Sequence, residues 1–125
     1  MNKHKDLPYL KHIRDAINDL QDSTKGISKK GFKDNKDIKE ANIRRLEIIG
    51  EAVKNISQEL KSKHPEIEWA KITATRNIMI HAYFNVDVDI VWGIIKDDIP
   101  KLKEEILKIL KEYEIQEENK KKAKE

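Results

Sequence analysis

Apolar residues recur at steps of three and four along nearly the whole of this 125-residue chain, and only four glycines and three prolines interrupt them. That spacing lines hydrophobic side chains along one face of a helix, whereas an all-β chain needs many more turn residues. Leu7, Leu10, Ile13, Ile17 and Leu20 predict a first helix, with Pro8 in its first turn and Asp6 as its cap, ending before Gly26. Residues 25–37 are polar and hold two glycines, which predicts a loop with one short helical turn and Phe32 tucked back onto the core. A second helix is expected over Asp37–Lys61. Ile38, Ala41, Ile49, Ala52, Val53, Ile56 and Leu60 form its stripe, and Ile43, Leu46 and Ile48 widen it, as in a helix with neighbours on more than one side. Gly50 lies in its middle, where glycine costs roughly 1 kcal/mol against alanine. Close approach of another helix would explain it, and so would a tolerated surface position.

A third helix spans about Trp69–Tyr83, and a fourth starts at Asp87 or Asp89, either a suitable cap. The fourth carries Val88, Val91, Trp92, Ile95 and Ile99; Pro100 must kink it or open a fresh helix, and Leu102, Ile106, Ile109, Leu110 and Tyr113 continue the apolar face. The expected fold is all-α: an antiparallel (up-down) bundle of four to five helices over residues 1–116. A charged, flexible tail of mostly Lys and Glu follows over 117–125. Nineteen isoleucines suffice for one core, and no internal repeat or second domain is visible.

Composition excludes several classes of function. The chain has no cysteine, so disulfides, thiolate catalysis and cysteine-ligated zinc are out. His4, His12 and His64 are scattered without ligand spacing, so no metal and no cofactor is expected. No apolar run reaches the length of a membrane span, and the N-terminus lacks the apolar core of a signal peptide, so a cytoplasmic protein without membrane association is expected. A net charge of +3 is weakly basic and does not by itself mark a nucleic-acid binder.

The third helix is anomalous. The chain is 39% charged, yet Trp69–Val86 carries only Lys71 and Arg76. So apolar a segment should be buried or half-buried, and its Arg, Asn, His and Tyr then need partners. With Trp69 at zero and about 100° per residue, Arg76 falls in the middle of the stripe of Trp69, Ile72, Ile80 and Tyr83, while His81 lies beside Asn77, off that face. Two arrangements could bring Arg76 and His81 together: unwinding of the helix near His81, or a second copy of the helix facing the first. Arginine is scarce here, four against 22 lysines. Its planar fork at position 76 suits a phosphate better than a point charge does. An imidazole can move a proton near neutral pH, a guanidinium can stabilise a pentacoordinate phosphorus, and the Asn77 amide can orient either. Together these suffice for metal-independent attack of a ribose 2′-hydroxyl on its own phosphate. On spacing and burial alone the same residues also describe a structural hydrogen-bond network. Tyr83, Trp69 and Trp92 read equally as packing rings.

Arg-Asn-Ile-Met-Ile-His-Ala-Tyr (76–83) resembles the Arg-x-x-x-x-His-x-Tyr signature of HEPN-domain proteins of the HepT type. Three further blocks are similar to that family in the same order. Residues 44–52 look like its central helix, 64–69 like its lead-in to the motif, and 83–92 like its exit, so the likeness extends over about residues 7–110. Ala82 departs from relatives that often carry an acidic or polar residue there. The resemblance implies a homodimer with both motifs lining one cleft, and an endoribonuclease toxin acting on tRNA or mRNA. It implies Arg76 and His81 as catalytic residues with Asn77 in support, and Tyr83 as the acceptor of AMP from an MntA-like nucleotidyltransferase antitoxin. An alternative of another class is a non-catalytic nucleotide- or partner-binding dimerisation module for such a nucleotidyltransferase.

Overall fold

The computed structural model describes residues 5–82 and 87–124, and the predicted periodicity becomes helix over nearly all of them. Helix α1 is Leu7–Thr24, α2 Lys29–Asp34, α3 Lys36–Lys54, α4 Gln58–Lys63, α5 Trp69–Ala82 and α6 Val88–Gly93; a π-helical turn, Ile94–Asp98, joins α6 to α7, Ile99–Lys124. Helix α3 is central, packed on α1 and on α5, and α7 closes the bundle against α1. The all-α bundle is therefore as expected, with α2 and α4 as short helices in its connections.

One core runs through these elements. Leu10, Ile13, Ile17 and Leu20 of α1 are fully buried, as are Leu46 and Val53 of α3, Met79 of α5 and Ile106 of α7. Phe32 does tuck in: it is fully buried, its ring centroid 5.1 Å from that of Trp92, which Lys96 covers from 4.7 Å. Such anchors tie α2 to α6. Gly26 turns the chain just after α1 with a φ of +74°, a value open to glycine at little cost.

The helix ends differ from expectation in instructive ways. Asp6 occupies the N-cap position of α1, but its side chain makes no capping bond. Its carboxylate is buried and accepts instead from the Ser57 backbone N–H (2.8 Å) and the Ser57 hydroxyl (2.6 Å), 51 residues away. Ser57 caps α4 in turn, its Oγ accepting from Leu60 N–H. This clamp marks the break that splits the expected 37–61 helix: α3 ends at Lys54 with Asn55 as its C-cap, and the chain turns before α4 begins. Pro100 stands in the first turn of α7, which opens at Ile99. The turn before it widens to π geometry, with Ile99 N–H reaching back to Ile94 C=O, which suits a proline that cannot donate and crowds the carbonyl four residues back. The Lys/Glu-rich end forms the last turns of α7, which runs to Lys124.

Buried polar groups are few and matched. Asn42, fully buried between α1 and α3, donates to Ile38 C=O and accepts from Ser23 Oγ (2.9 Å) and Arg45 Nη1 (3.0 Å). Among the described residues no buried side-chain nitrogen or oxygen lacks a partner. The Asp6 clamp gives a test of this accounting. Asp6→Ala leaves the Ser57 N–H without its acceptor, and unfolding in urea is expected to show a loss of about 1–3 kcal/mol.

Candidate active site

Helix α5 has one buried side and an outer side whose charge is confined to Lys71. Trp69, Thr75 and Met79 are buried and Ile72 is half-buried. Trp69 Nε1 donates to His64 C=O (2.9 Å), which fixes the entry to the helix, and Thr75 Oγ1 donates to Lys71 C=O (3.2 Å). The buried line is thus centred on Ile72, Thr75 and Met79. Arg76 stands at its edge, not in its middle, with 34% of its side chain exposed.

Position 76 is set by a close helix crossing. A Cβ built on Gly50 would lie 2.9 Å from Arg76 Cβ, 3.1 Å from Arg76 N and 3.2 Å from Ile72 C=O. Gly50 therefore lets α3 and α5 touch backbone to backbone, which decides between the two explanations its sequence position left open. The next residue, Glu51, carries the partner of the arginine: Arg76 Nε and Glu51 Oε2 form an ion pair at 2.6 Å. The anion or carboxylate that Arg76 requires is a carboxylate within the same chain, itself 48% exposed. The sequence pattern does not single out Glu51. The signal that could have found it is the glycine beside it, since a helix that approaches at Gly50 must meet position 51.

Asn77 is exposed. So are Ala70, Ala74 and Ile78, the last at 43%, and these four form the outward face of α5 with no charge among them. The segment is thus apolar and half uncovered within one chain, the half-buried case of the expectation. The backbone remains helical to Ala82, so it does not unwind at position 81. The register then sets positions 76 and 81 about 140° apart around the axis, with 81 on the side of Ala70, Ala74 and Asn77. Within one chain α5 does not turn these two positions toward a common point. Tyr83 lies outside the described residues.

The apolar cleft between α3, α5 and the π turn is a separate feature. It encloses about 140 Å³ over Leu46, Ile49, Ile72, Thr75, Ile94 and Leu102, and neither Arg76 nor Asn77 lines it. Lys71 bridges its rim to Asp98 (3.4 Å) and Glu68 (3.5 Å), and these two carboxylates raise the Lys71 pKa above its usual value. Among the described residues no three His, Cys, Asp or Glu side chains are grouped to hold a metal ion, and no helix is long and apolar enough to cross a membrane.

The ribonuclease HepT-like family model matches residues 13–109. The chain is 45% identical over 108 residues to "Probable ribonuclease HepT" of Thermococcus cleftensis, covering 86% of this chain and 96% of that one. It is 41% identical over 106 residues to "Putative RNase MJ1380" of Methanocaldococcus jannaschii, covering 85% and 97%. A further relative in that organism, "Gamma-glutamylcyclotransferase and putative RNase MJ0434", is 44% identical over 112 residues; these are 90% of this chain and 50% of the relative, so the chain spans half the length of that protein. No solved structure gives a significant match. The family model covers the bundle from α1 into α7, and two relatives align over nearly their whole length: the chain belongs to the HepT-like ribonuclease family of HEPN proteins.

Proposed function

We propose that this protein is a metal-independent endoribonuclease of the toxin type whose active site is completed by a second copy of the chain. The observation that carries this reading is the outward face of α5. In a chain that is 39% charged, a helix bearing an arginine leaves Ala70, Ala74, Asn77 and Ile78 exposed and uncharged. A second copy laid on that face covers apolar surface and sets position 81 of each chain at the seam, which the partly exposed Arg76 of the other chain, at the edge of the buried side, is to reach along its long stem. No single helix of regular geometry achieves that convergence. Family membership supplies the ribonuclease reading, and the side chains supply a chemistry. His81 takes the proton of the ribose 2′-hydroxyl as its oxygen attacks the adjacent phosphorus. Arg76 stabilises the charge on the phosphorane oxygens. The P–O5′ bond then breaks, and the proton is returned to the leaving 5′ oxygen, giving a 2′,3′-cyclic phosphate and a 5′-hydroxyl. Asn77 orients the reacting groups. Tyr83 is the residue on which an MntA-like nucleotidyltransferase would place AMP, adding bulk and negative charge where RNA phosphate must bind. A cytoplasmic location follows from an RNA substrate, tRNA or mRNA.

The test is cleavage of tRNA and mRNA by the purified protein in the presence of chelator, after its intact mass has shown it free of AMP. Wild-type protein is expected to yield cyclic-phosphate ends, and His81→Ala is expected to lose at least about 10²-fold in rate. Nucleotide or partner binding without turnover points instead to a non-catalytic dimerisation module. Equal cleavage by His81→Ala removes the assigned chemistry.

A further inference from the structure

We infer that Glu51 is the positioning residue of the catalytic arginine. Its carboxylate, ion-paired at the Nε end of the Arg76 guanidinium, holds the group by charge so that the two Nη nitrogens are presented as a fork to the scissile phosphate. This rests on the ribonuclease reading above for its catalytic consequence, and on geometry for the placement itself.

A guanidinium at the end of a long stem has many rotamers, and holding a phosphate in the transition state requires one of them. The fold removes that freedom in two places. Gly50 brings α3 against the root of the side chain, so close that a methyl carbon added to the glycine would stand 2.9 Å from Arg76 Cβ, and the stem leaves α5 directly over α3. One residue on, Glu51 Oε2 holds Nε at 2.6 Å. Arginine carries one donor on Nε and four on the Nη pair. The ion-paired carboxylate stands at the Nε end and leaves the Nη edge to meet two phosphate oxygens side by side. The alternative role for Glu51 is stability, and its exposure argues against it. With 34% and 48% of the two side chains exposed, the pair sits in a solvent-screened setting where ion pairs add little to folding. Among the described residues Glu51 is the anion within ion-pair distance of Arg76.

A carboxylate so close to a phosphate site has a cost in ground-state affinity, because like charges repel. That cost gives the role a signature. Glu51→Gln keeps the shape and removes the charge. It is expected to lower kcat by about 10- to 100-fold through misorientation of the guanidinium, while KM stays level or falls, and Tm changes by no more than about 2 °C. Glu51→Asp, which keeps the carboxylate one methylene shorter, is expected to recover part of the rate. In parallel, 15N relaxation of the Arg76 Nε of labelled protein, its resonance identified by its loss in Arg76→Lys, is expected to show a more restricted side chain in wild type than in Glu51→Gln. An unchanged or raised kcat in Glu51→Gln, with wild-type cleavage intact, overturns the inference, as does a rise in KM at constant kcat. If wild-type protein cleaves no RNA, the ribonuclease reading is what has failed. The relaxation measurement then decides the placement on its own: equal mobility in the two proteins overturns it, and restriction in wild type upholds it.

Discussion

Arg76→Ala is expected to abolish RNA cleavage, by about 10³-fold or more in kcat, and to leave the protein nearly as stable as before. The catalytic term follows from removing the one cationic fork on α5 that can stabilise charge on a pentacoordinate phosphorus. The stability term follows from the partner it abandons. Breaking an ion pair buried in a core costs about 3–5 kcal/mol because a charge is left without water. Glu51 is half exposed, so its carboxylate is rehydrated, and the expected loss is under about 1 kcal/mol. Thermal melts beside rate measurements check both halves. A variant that loses activity and stability together, with Tm falling by about 10 °C or more, would instead assign Arg76 to the scaffold.

Gly50→Ala reverses the usual sign of a helix substitution. In an exposed helix interior, alanine in place of glycine stabilises by about 1 kcal/mol. Here the new methyl carbon would stand 2.9 Å from Arg76 Cβ and within 3.2 Å of two α5 backbone atoms, distances at which backbone rather than a flexible tip must move. The expected result is a destabilisation of about 1–3 kcal/mol, seen as a Tm lower by roughly 5–15 °C for a domain of this size. Cleavage falls with it at temperatures where the protein remains folded, because α5 carries the arginine away from Glu51. A Tm that rises on Gly50→Ala would mean that the two helices do not meet there.

Much of this is legible in the sequence because it depends on periodicity. The apolar steps of α1 and α3, the tucked Phe32 and the cap at Asp87 are local patterns that burial simply realises. What the pattern hides is long-range. Asp6 reads as a helix cap from its neighbours, yet its hydrogen bonds go to Ser57, and no local rule anticipates a partner 51 residues on. The same clamp breaks the long second helix that propensity would carry to Lys61. At the candidate site, the helical wheel locates α5 and its single arginine but sets Arg76 too deep. The stripe through Trp69, Ile72 and Ile80 leaves out Thr75 and Met79, which are the buried centre. The glycine that fixes the α3–α5 distance is visible as an oddity, whereas the carboxylate beside it has no mark among the many charged residues of the chain. The sequence does not say which side of the apolar α5 is left open; within one chain it is the side of Ala70, Ala74, Asn77 and Ile78, which is why the candidate chemistry points to a second copy.

The convergence of Arg76 and His81 across two copies is most directly tested by mixing. Arg76→Ala and His81→Ala proteins, each inactive, are to be unfolded together, refolded together and assayed on RNA in chelator. Mixed pairs carrying one intact arginine and one intact histidine on opposite chains are expected to regain a measurable fraction of wild-type cleavage, in proportion to their abundance. Mixtures that exchange chains and stay as inactive as either parent would contradict a site shared between copies.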